Sequence, residues 1–338
     1  MSGARAAELP LHRLEVPMPQ LLPFAIGSFE TIGPLSRAEF PHRHSFYEIL
    51  HVTGGTGGHV QDLRHTRLDP PHLCVITPGQ VHHWERARGV TGHVVLFEED
   101  FLLHPQDAES LRVLGTRPWL RLGDRAPGYA ALLADMETEY ATLAEGYAGV
   151  LRSLLHILVV RALRDSAPSS GPEADRPPAG LPSPVTTPAP DAVAGAGPDG
   201  SAAPAAGRAG VLTAAFRGLL ARPEGPGLSV ADCAQRLGVS PGSLHALVKQ
   251  ATGRTPGQLI RQRQTLEAKR LLAATDLTVR QVGRAAGFAD PAYFCRFFRR
   301  ETGLTPGEFR AAAEAVAGPG GKHHDPRIES IAALADRP

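Results

Sequence analysis

The sequence predicts a multidomain chain: an all-β sandwich or small barrel followed by helices, then an all-α domain with two helix-turn-helix units. Three observations predict it. Short apolar runs bounded by turn clusters recur through the first 105 residues, a Pro/Gly-rich stretch follows Asp165, and the C-terminal region repeats itself at an offset of 49 to 50 residues. A length of 338 residues suits about two domains, each able to bury a core.

Residues 1–105 carry the strand signals. Phe46 to Val52, Leu73 to Thr77 and His93 to Phe97 are apolar and separated by Gly54-Gly55, Gly57-Gly58, Asp69-Pro70-Pro71 and Pro78-Gly79, the spacing of a sandwich or barrel. The stretch before Phe24 is broken by Pro10, Pro17, Pro19 and Pro23 and has no apolar core, so no signal peptide is expected. Residues 106–165 turn to a helical period, with Leu151, Leu154, Leu155, Leu158, Val159 and Ala162 on one stripe. That stripe either packs on its own barrel or forms the seam of a homodimer. The longest apolar run, Leu154 to Val160, falls far short of the ~20 residues that span a bilayer. No membrane partner is expected.

Residues 166–208 read as a linker. Pro and Gly supply 17 of the 43 residues from Pro168 to Gly210, and large apolar side chains are almost missing, so the segment is expected to be disordered. Residues 317–338 are expected to be a flexible tail. The linker also divides the charge. The whole chain has a net charge of +1, which taken alone excludes a strongly basic nucleic-acid binder. From Arg208 to Arg310, however, 16 basic residues face 7 acidic ones, a net of +9, and the remainder nets −8. A domain this basic suits a polyanion. Cys74, Cys233 and Cys295 are odd in number and far apart, which offers no disulfide framework and suits a cytoplasmic setting.

Residues 209–316 hold the repeat. Ser229 to Gly238 matches Thr278 to Gly287, and Leu244, Val248 and Thr252-Gly253-x-Thr255-Pro256-Gly257 match Phe294, Phe298 and Thr302-Gly303-x-Thr305-Pro306-Gly307. Each copy predicts helix, glycine turn, helix. Ser229 with Asp232 and Thr278 with Gln281 form capping boxes, Gly238 and Gly287 stop the first helix, and Ser240-Pro241 and Asp290-Pro291 start the second. Leu244, Leu247 and Val248, or Phe294, Phe297 and Phe298, then face a core. The opposite face shows Gly242, His245, Ala246 and Lys249 in one copy and Pro291, Ala292, Cys295, Arg296 and Arg299 in the other. Such pairs place their second helix in the DNA major groove. A connecting helix over Gln258 to Ala274 would hold the two recognition helices at a fixed spacing, about 34 Å if they read successive turns.

These motifs resemble the DNA-binding domain of the AraC/XylS family of transcription regulators. The second copy carries the likeness in Ala285-Ala286-Gly287-Phe288, Tyr293-Phe294-x-Arg296-x-Phe298, Gly303-x-Thr305-Pro306 and Phe309-Arg310, and the first in Ser240, Leu244, Gly253 and Pro256. The resemblance implies double-stranded DNA as partner and Ser240, Gly242, His245, Ala246, Lys249, Pro291, Ala292, Tyr293, Cys295, Arg296 and Arg299 as contacts. Arg296 suits base reading, and Lys249 and Arg299 suit phosphates. The first recognition helix departs from the pattern, offering no Arg or Gln on the expected groove face.

Ten of the 15 histidines lie between His42 and His104. Pro41-His42-x-His44-x-x-x-Glu48 and Pro78-Gly79-Gln80-Val81-His82 resemble the two motifs of the cupin barrel. The resemblance implies a cupin-like barrel in which His42, His44, Glu48 and His82 line an effector pocket. The same four would be the ligands if a metal were bound, but no metal and no cofactor is expected. The functional expectation is a sequence-specific transcription factor that responds to a small-molecule effector, not an enzyme. It would act as a homodimer in the cytoplasm and engage RNA polymerase if an activator. A metal-dependent cupin enzyme with an appended DNA-binding domain and an effector-independent DNA binder are the alternatives.

Overall fold

The computed structural model describes residues 9–14, 22–117, 119–167, 203–221 and 225–317. They divide into two compact units, one on each side of the Pro/Gly-rich segment. The predicted linker between residues 168 and 202 and the tail from 318 lie outside the described residues.

The N-terminal unit runs β1 (Leu11–His12), β2 (Phe24–Ser28), β3 (Arg43–His44), β4 (Tyr47–Gln61), β5 (Arg64–Arg67), β6 (His72–Ile76), β7 (His82–Phe97), α1 (Pro105–Thr116), β8 (Leu120–Arg121), α2 (Ala126–Thr142) and α3 (Tyr147–Asp165). Six strands form one antiparallel sheet in the order β2-β7-β4-β6-β8, with β5 paired to β4, while β1 and β3 pair separately in parallel. The β-rich domain followed by helices is as the sequence predicts, although among the described residues the hydrogen-bonded path stays open rather than closing into a cylinder.

Two glycine pairs read as turns in the sequence do not turn the chain. Gly54-Gly55 and Gly57-Gly58 lie inside the 15-residue β4, where its register against β7 slips three times between Val52 and Gly58. Gly55 and Gly57 have φ of +117° and +112° and press on the backbone of Val90 and of Arg86 and Ala87, space that only glycine leaves. These bulges let β4 and β7 run on as one long bent ladder.

Side-chain alternation divides the sheet into two faces. Tyr47, Ile49, Leu73, Val75, Val95 and Phe97 pack against α1, α2 and α3, while Leu50, Val52, Cys74, Ile76, Val94 and Leu96 face a second core that also holds Trp84 and Trp119. The α3 stripe is consumed here. Leu151, Leu155, Leu158, Val159 and Ala162 are fully buried within the unit, and Leu154 packs beside them. Each large aliphatic side chain so placed contributes on the order of 1.5–3 kcal/mol. The stripe therefore packs on its own domain and is not an open dimer seam.

The C-terminal unit is α4 (Ala203–Ala221), α5 (Val230–Arg236), α6 (Pro241–Thr252), α7 (Pro256–Ala274), α8 (Val279–Ala285), α9 (Pro291–Thr302) and α10 (Pro306–Ala317). Helix α4 opens at Ala203, ahead of the boundary that composition sets at 208, because Ala203, Ala205 and Ala206 favour a helix despite the glycines nearby. It serves the first repeat directly: Phe216, Leu219 and Leu220 pack with Cys233, Ala234, Leu244 and Val248. The second repeat uses rings instead, with Phe288 4.7 Å from Phe297 and Phe298 5.5 Å from Phe309.

Candidate nucleic-acid interface and effector pocket

Both helix-turn-helix units form as the repeat predicts. The Ser229–Asp232 and Thr278–Gln281 capping boxes are complete, and Gly238 and Gly287 turn the chain at φ of +65° and +88°. Ser240 accepts from the Ser243 N–H to start α6, and the Asp290 carboxylate accepts from the N–H groups of Ala292 and Tyr293 to start α9. Gly287 has a second duty, since a Cβ there would strike the carbonyl oxygen of Pro226.

Polar side chains of α7 tie it to α4 and to the turn ahead of α5. Arg263 Nε donates to the Leu220 carbonyl at 3.0 Å, and Gln264 Nε2 to that of Pro226 at 2.9 Å. The buried Glu267 lies 3.5 Å from Arg263 and 3.7 Å from Arg270. These two arginines of the basic domain are structural. From α10, Arg310 donates to the carbonyls of Leu272 and Leu277, which fixes α10 on the far end of α7.

The solvent faces of α6 and α9 carry the residues singled out in the sequence. Ser240, Gly242, His245, Ala246 and Lys249 are exposed around α6, as are Ala292, Tyr293, Arg296 and Arg299 on α9, while Pro291 and Cys295 are half-buried. Leu244, Val248, Phe294, Phe297 and Phe298 are buried behind them, whereas Leu247 is only half-buried. The Arg296 side chain is 70% exposed. Tyr293, 49% exposed, leans on Phe288 at 5.9 Å. Gln250 and Arg300, equivalent at the offset of 50, are also exposed. Arg300 stacks on Phe297 and bonds Glu301.

In the N-terminal unit the two histidine motifs meet inside the sheet. His44 Nε2 lies 3.1 Å from Glu48 Oε2 and its Nδ1 2.7 Å from the Phe46 carbonyl. His82 Nε2 stands 3.5 Å from the same carboxylate oxygen without hydrogen-bond geometry, and its Nδ1 is 3.3 Å from His59 Nε2. His42 Nδ1 is 3.0 Å from the Phe40 carbonyl, and its ring packs on His82. Burial pushes the His42 imidazole down to about 3 and those of His59 and His82 well below the ordinary value. A narrow, water-sized hollow lined by His12, His42, His44, Phe46 and Glu48 lies beside them.

One ligand atom each from His44, Glu48 and His82 lies within 4.8 Å of the others. Two imidazoles and a carboxylate, with His82 Nε2 left without a hydrogen bond, fit a divalent cation. Such an ion would polarise an oxygen of a bound ligand.

An AraC-like ligand binding domain family matches residues 33–155, and a helix-turn-helix domain family matches residues 233–312. The chain belongs to the AraC family. It is similar to the arabinose operon regulatory protein of Salmonella typhimurium, 38% identical over 85 residues that cover 25% of this chain and 30% of that one. It is similar also to the transcriptional regulator CdhR of Pseudomonas aeruginosa, 33% identical over 118 residues, 33% of this chain and 35% of that one. The chain thus spans about a third of the length of the curated relatives it matches. Among solved structures, an AraC-type transcriptional regulator from Chromobacterium violaceum is 31% identical over 36% of this chain and all of that one, at a TM-score of 0.27.

In this AraC-family chain the ligand-binding match covers His42, His44, Glu48 and His82, and the helix-turn-helix match covers every contact expected on α6 and α9. Helix α4 lies between the two matches. The structure brings His44, Glu48 and His82 together and leaves His42 outside their triangle. His59 was missed because it stands far from either motif in sequence. It reaches His82 only because β4 continues past its bulges to pair His59 with Trp84 and Gln61 with His82.

Proposed function

We propose that this chain is a sequence-specific transcription factor that binds double-stranded DNA through α6 and α9 and responds to a small-molecule effector held in its N-terminal unit. The observation that supports this most is the doubled helix-turn-helix with matching solvent faces. Ala246 on α6 and Arg296 on α9 face outward at equivalent places, with His245 exposed beside Ala246 and Lys249 and Arg299 one turn on toward the phosphates. Arg296 reads a guanine, and the weaker face of α6 uses His245 and contact between Ala246 and a thymine methyl group. His42, His44, Glu48 and His82 belong to the effector pocket. The protein works in the cytoplasm as a homodimer, through a surface other than the buried α3 stripe, and contacts RNA polymerase if it activates. It performs no catalysis. Titration of the full chain with DNA carrying its operator tests this reading. Binding should be salt-dependent and should change when effector is added, whereas binding without sequence preference would refute it.

A second reading is favoured by the donor set alone: a divalent cation at His44, Glu48 and His82 that shapes the effector pocket. Metal analysis of the purified chain beside the His82→Ala variant tests it. Stoichiometric metal in the first and none in the second is expected, and no metal in either contradicts it.

A further inference from the structure

The two imidazoles of the His44–Glu48–His82 triangle are held from behind in different ways. His44 Nδ1 lies 2.7 Å from the Phe46 carbonyl, an atom that only accepts. That bond needs the ring hydrogen on Nδ1, and the nitrogen turned to Glu48 is Nε2. His82 also turns Nε2 to Glu48, but the atom behind its Nδ1 is His59 Nε2, 3.3 Å away. Between two neutral imidazoles the shared hydrogen can belong to either ring, so the tautomer of His82 is set by that of His59. If His59 donated, His82 would carry its own hydrogen on Nε2, facing into the triangle. If His59 accepts, His82 Nε2 is a lone pair beside Glu48. His42 does not compete for the role: its ring packs on His82 at 4.2 Å, but its Nδ1 is engaged by the Phe40 carbonyl.

We propose that His59 is a positioning residue, which accepts the Nδ1–H of His82 and so keeps the His82 Nε2 lone pair in the triangle with His44 and Glu48. The proposal rests on the divalent-cation reading put forward above and adds to it a residue outside both histidine motifs. Two observations favour acceptance by His59. Its other ring nitrogen, Nδ1, makes no hydrogen bond among the described residues, and the indoles of Trp84 and Trp119 pack on its ring at 4.8 and 5.0 Å. Next to electron-rich ring faces an N–H is better placed than a lone pair, which puts the His59 hydrogen on Nδ1 and leaves Nε2 to accept. His82 Nε2, for its part, makes no hydrogen bond although Glu48 Oε2 is 3.5 Å away. A ring N–H so close to a carboxylate would be drawn into line with it. With the hydrogen behind the ring, His82 needs to lose no proton before it ligates, and the bond to His59 fixes the orientation of the ring. The ladder that pairs His59 with Trp84 and Gln61 with His82 sets His59 in place.

The test uses the full chain with nitrogen-labelled histidine. A long-range nitrogen–proton spectrum without added metal tells a protonated ring nitrogen from a bare one, and the His82 signals are identified by their loss in His82→Ala. The proposal expects the His82 hydrogen on Nδ1 and Nε2 bare. Titration with Zn²⁺ against a competing chelator should then show binding about 10- to 100-fold weaker in His59→Phe, which keeps a ring and removes the acceptor. His59→Gln, whose side-chain carbonyl can accept in place of Nε2, should restore the Nδ1–H of His82 and most of the affinity. A role in packing alone predicts the opposite order, with Phe the better substitute. Hydrogen on His82 Nε2 in the unaltered chain, or His59→Gln binding no better than His59→Phe, overturns the proposal. Where His59→Phe fails to fold, the spectrum of the unaltered chain and the affinity of His59→Gln decide it. The two readings fail separately: a chain that binds no Zn²⁺ but holds the His82 hydrogen on Nδ1 removes the cation and upholds the His59–His82 bond. Zn²⁺ binding that is unchanged in His59→Phe removes the role of His59 alone.

Discussion

The Arg296 guanidinium lies 4.0 Å from the Asp290 carboxylate, the same carboxylate that caps the start of α9. The side chain proposed to read a guanine is thus held, in the free protein, beside the cap that starts α9. Both groups are well exposed, so their attraction is weak and yields readily to a base.

Arg296→Ala should weaken operator binding by about 1–3 kcal/mol and relax preference at the base pair it reads. Lys249→Ala should lower affinity for all sequences alike and reduce the salt dependence by about one unit of slope. Titrations of operator and unrelated DNA at several salt concentrations distinguish the two. A uniform loss for Arg296→Ala would show that it touches phosphate only.

The two turn glycines should differ in cost. Gly238 has an open Cβ position, so Gly238→Ala bears backbone strain alone, about 1–3 kcal/mol. Gly287→Ala adds a clash with Pro226 and should be the more destabilising in denaturant unfolding of the full chain. Equal losses would mean that the Pro226 contact gives way freely.

These two glycines also show what was legible in the sequence. Caps, turns and core positions of the helix-turn-helix units are local, fixed by residues within four of one another, and the repeat supplied each reading twice. Gly54 to Gly58 misled for the same reason: a glycine pair looks alike in a turn and in a bulge, and only the long partner β7 decides between them. The α3 stripe is equally visible whether its cover is the same chain or another. His59 reaches His82 through the pairing of β4 with β7 across many residues, which no local spacing announces.

Truncation on α3 should report the domain's own core. Leu155→Ala is expected to cost about 2–5 kcal/mol in the N-terminal unit while leaving the sedimentation of the folded chain unchanged. Loss of a dimer with stability intact would restore the seam.

The buried imidazoles predict sensitivity to acid. His42 is held at about 3 and His51 at about 4, both chiefly by burial, against about 6.5 in an unfolded chain. A folded value below the unfolded one means that stability is complete above about pH 6.5 and falls with the pH, by about 1.4 kcal/mol per unit for each such group, until the folded value is reached. Fluorescence of Trp84 and Trp119, both in this unit, should show it becoming easier to unfold from pH 6.5 toward pH 4. A flat profile would mean that these rings already meet water or protons in the folded state.

Selection of bound sequences from a random pool of duplex DNA tests the central claim most directly. The full chain should enrich a motif of two blocks centred about one helical turn apart, roughly 10 base pairs, and Arg296→Ala should erase the block read by α9 while leaving that read by α6. No enrichment, or a motif unchanged by Arg296→Ala, would contradict the account.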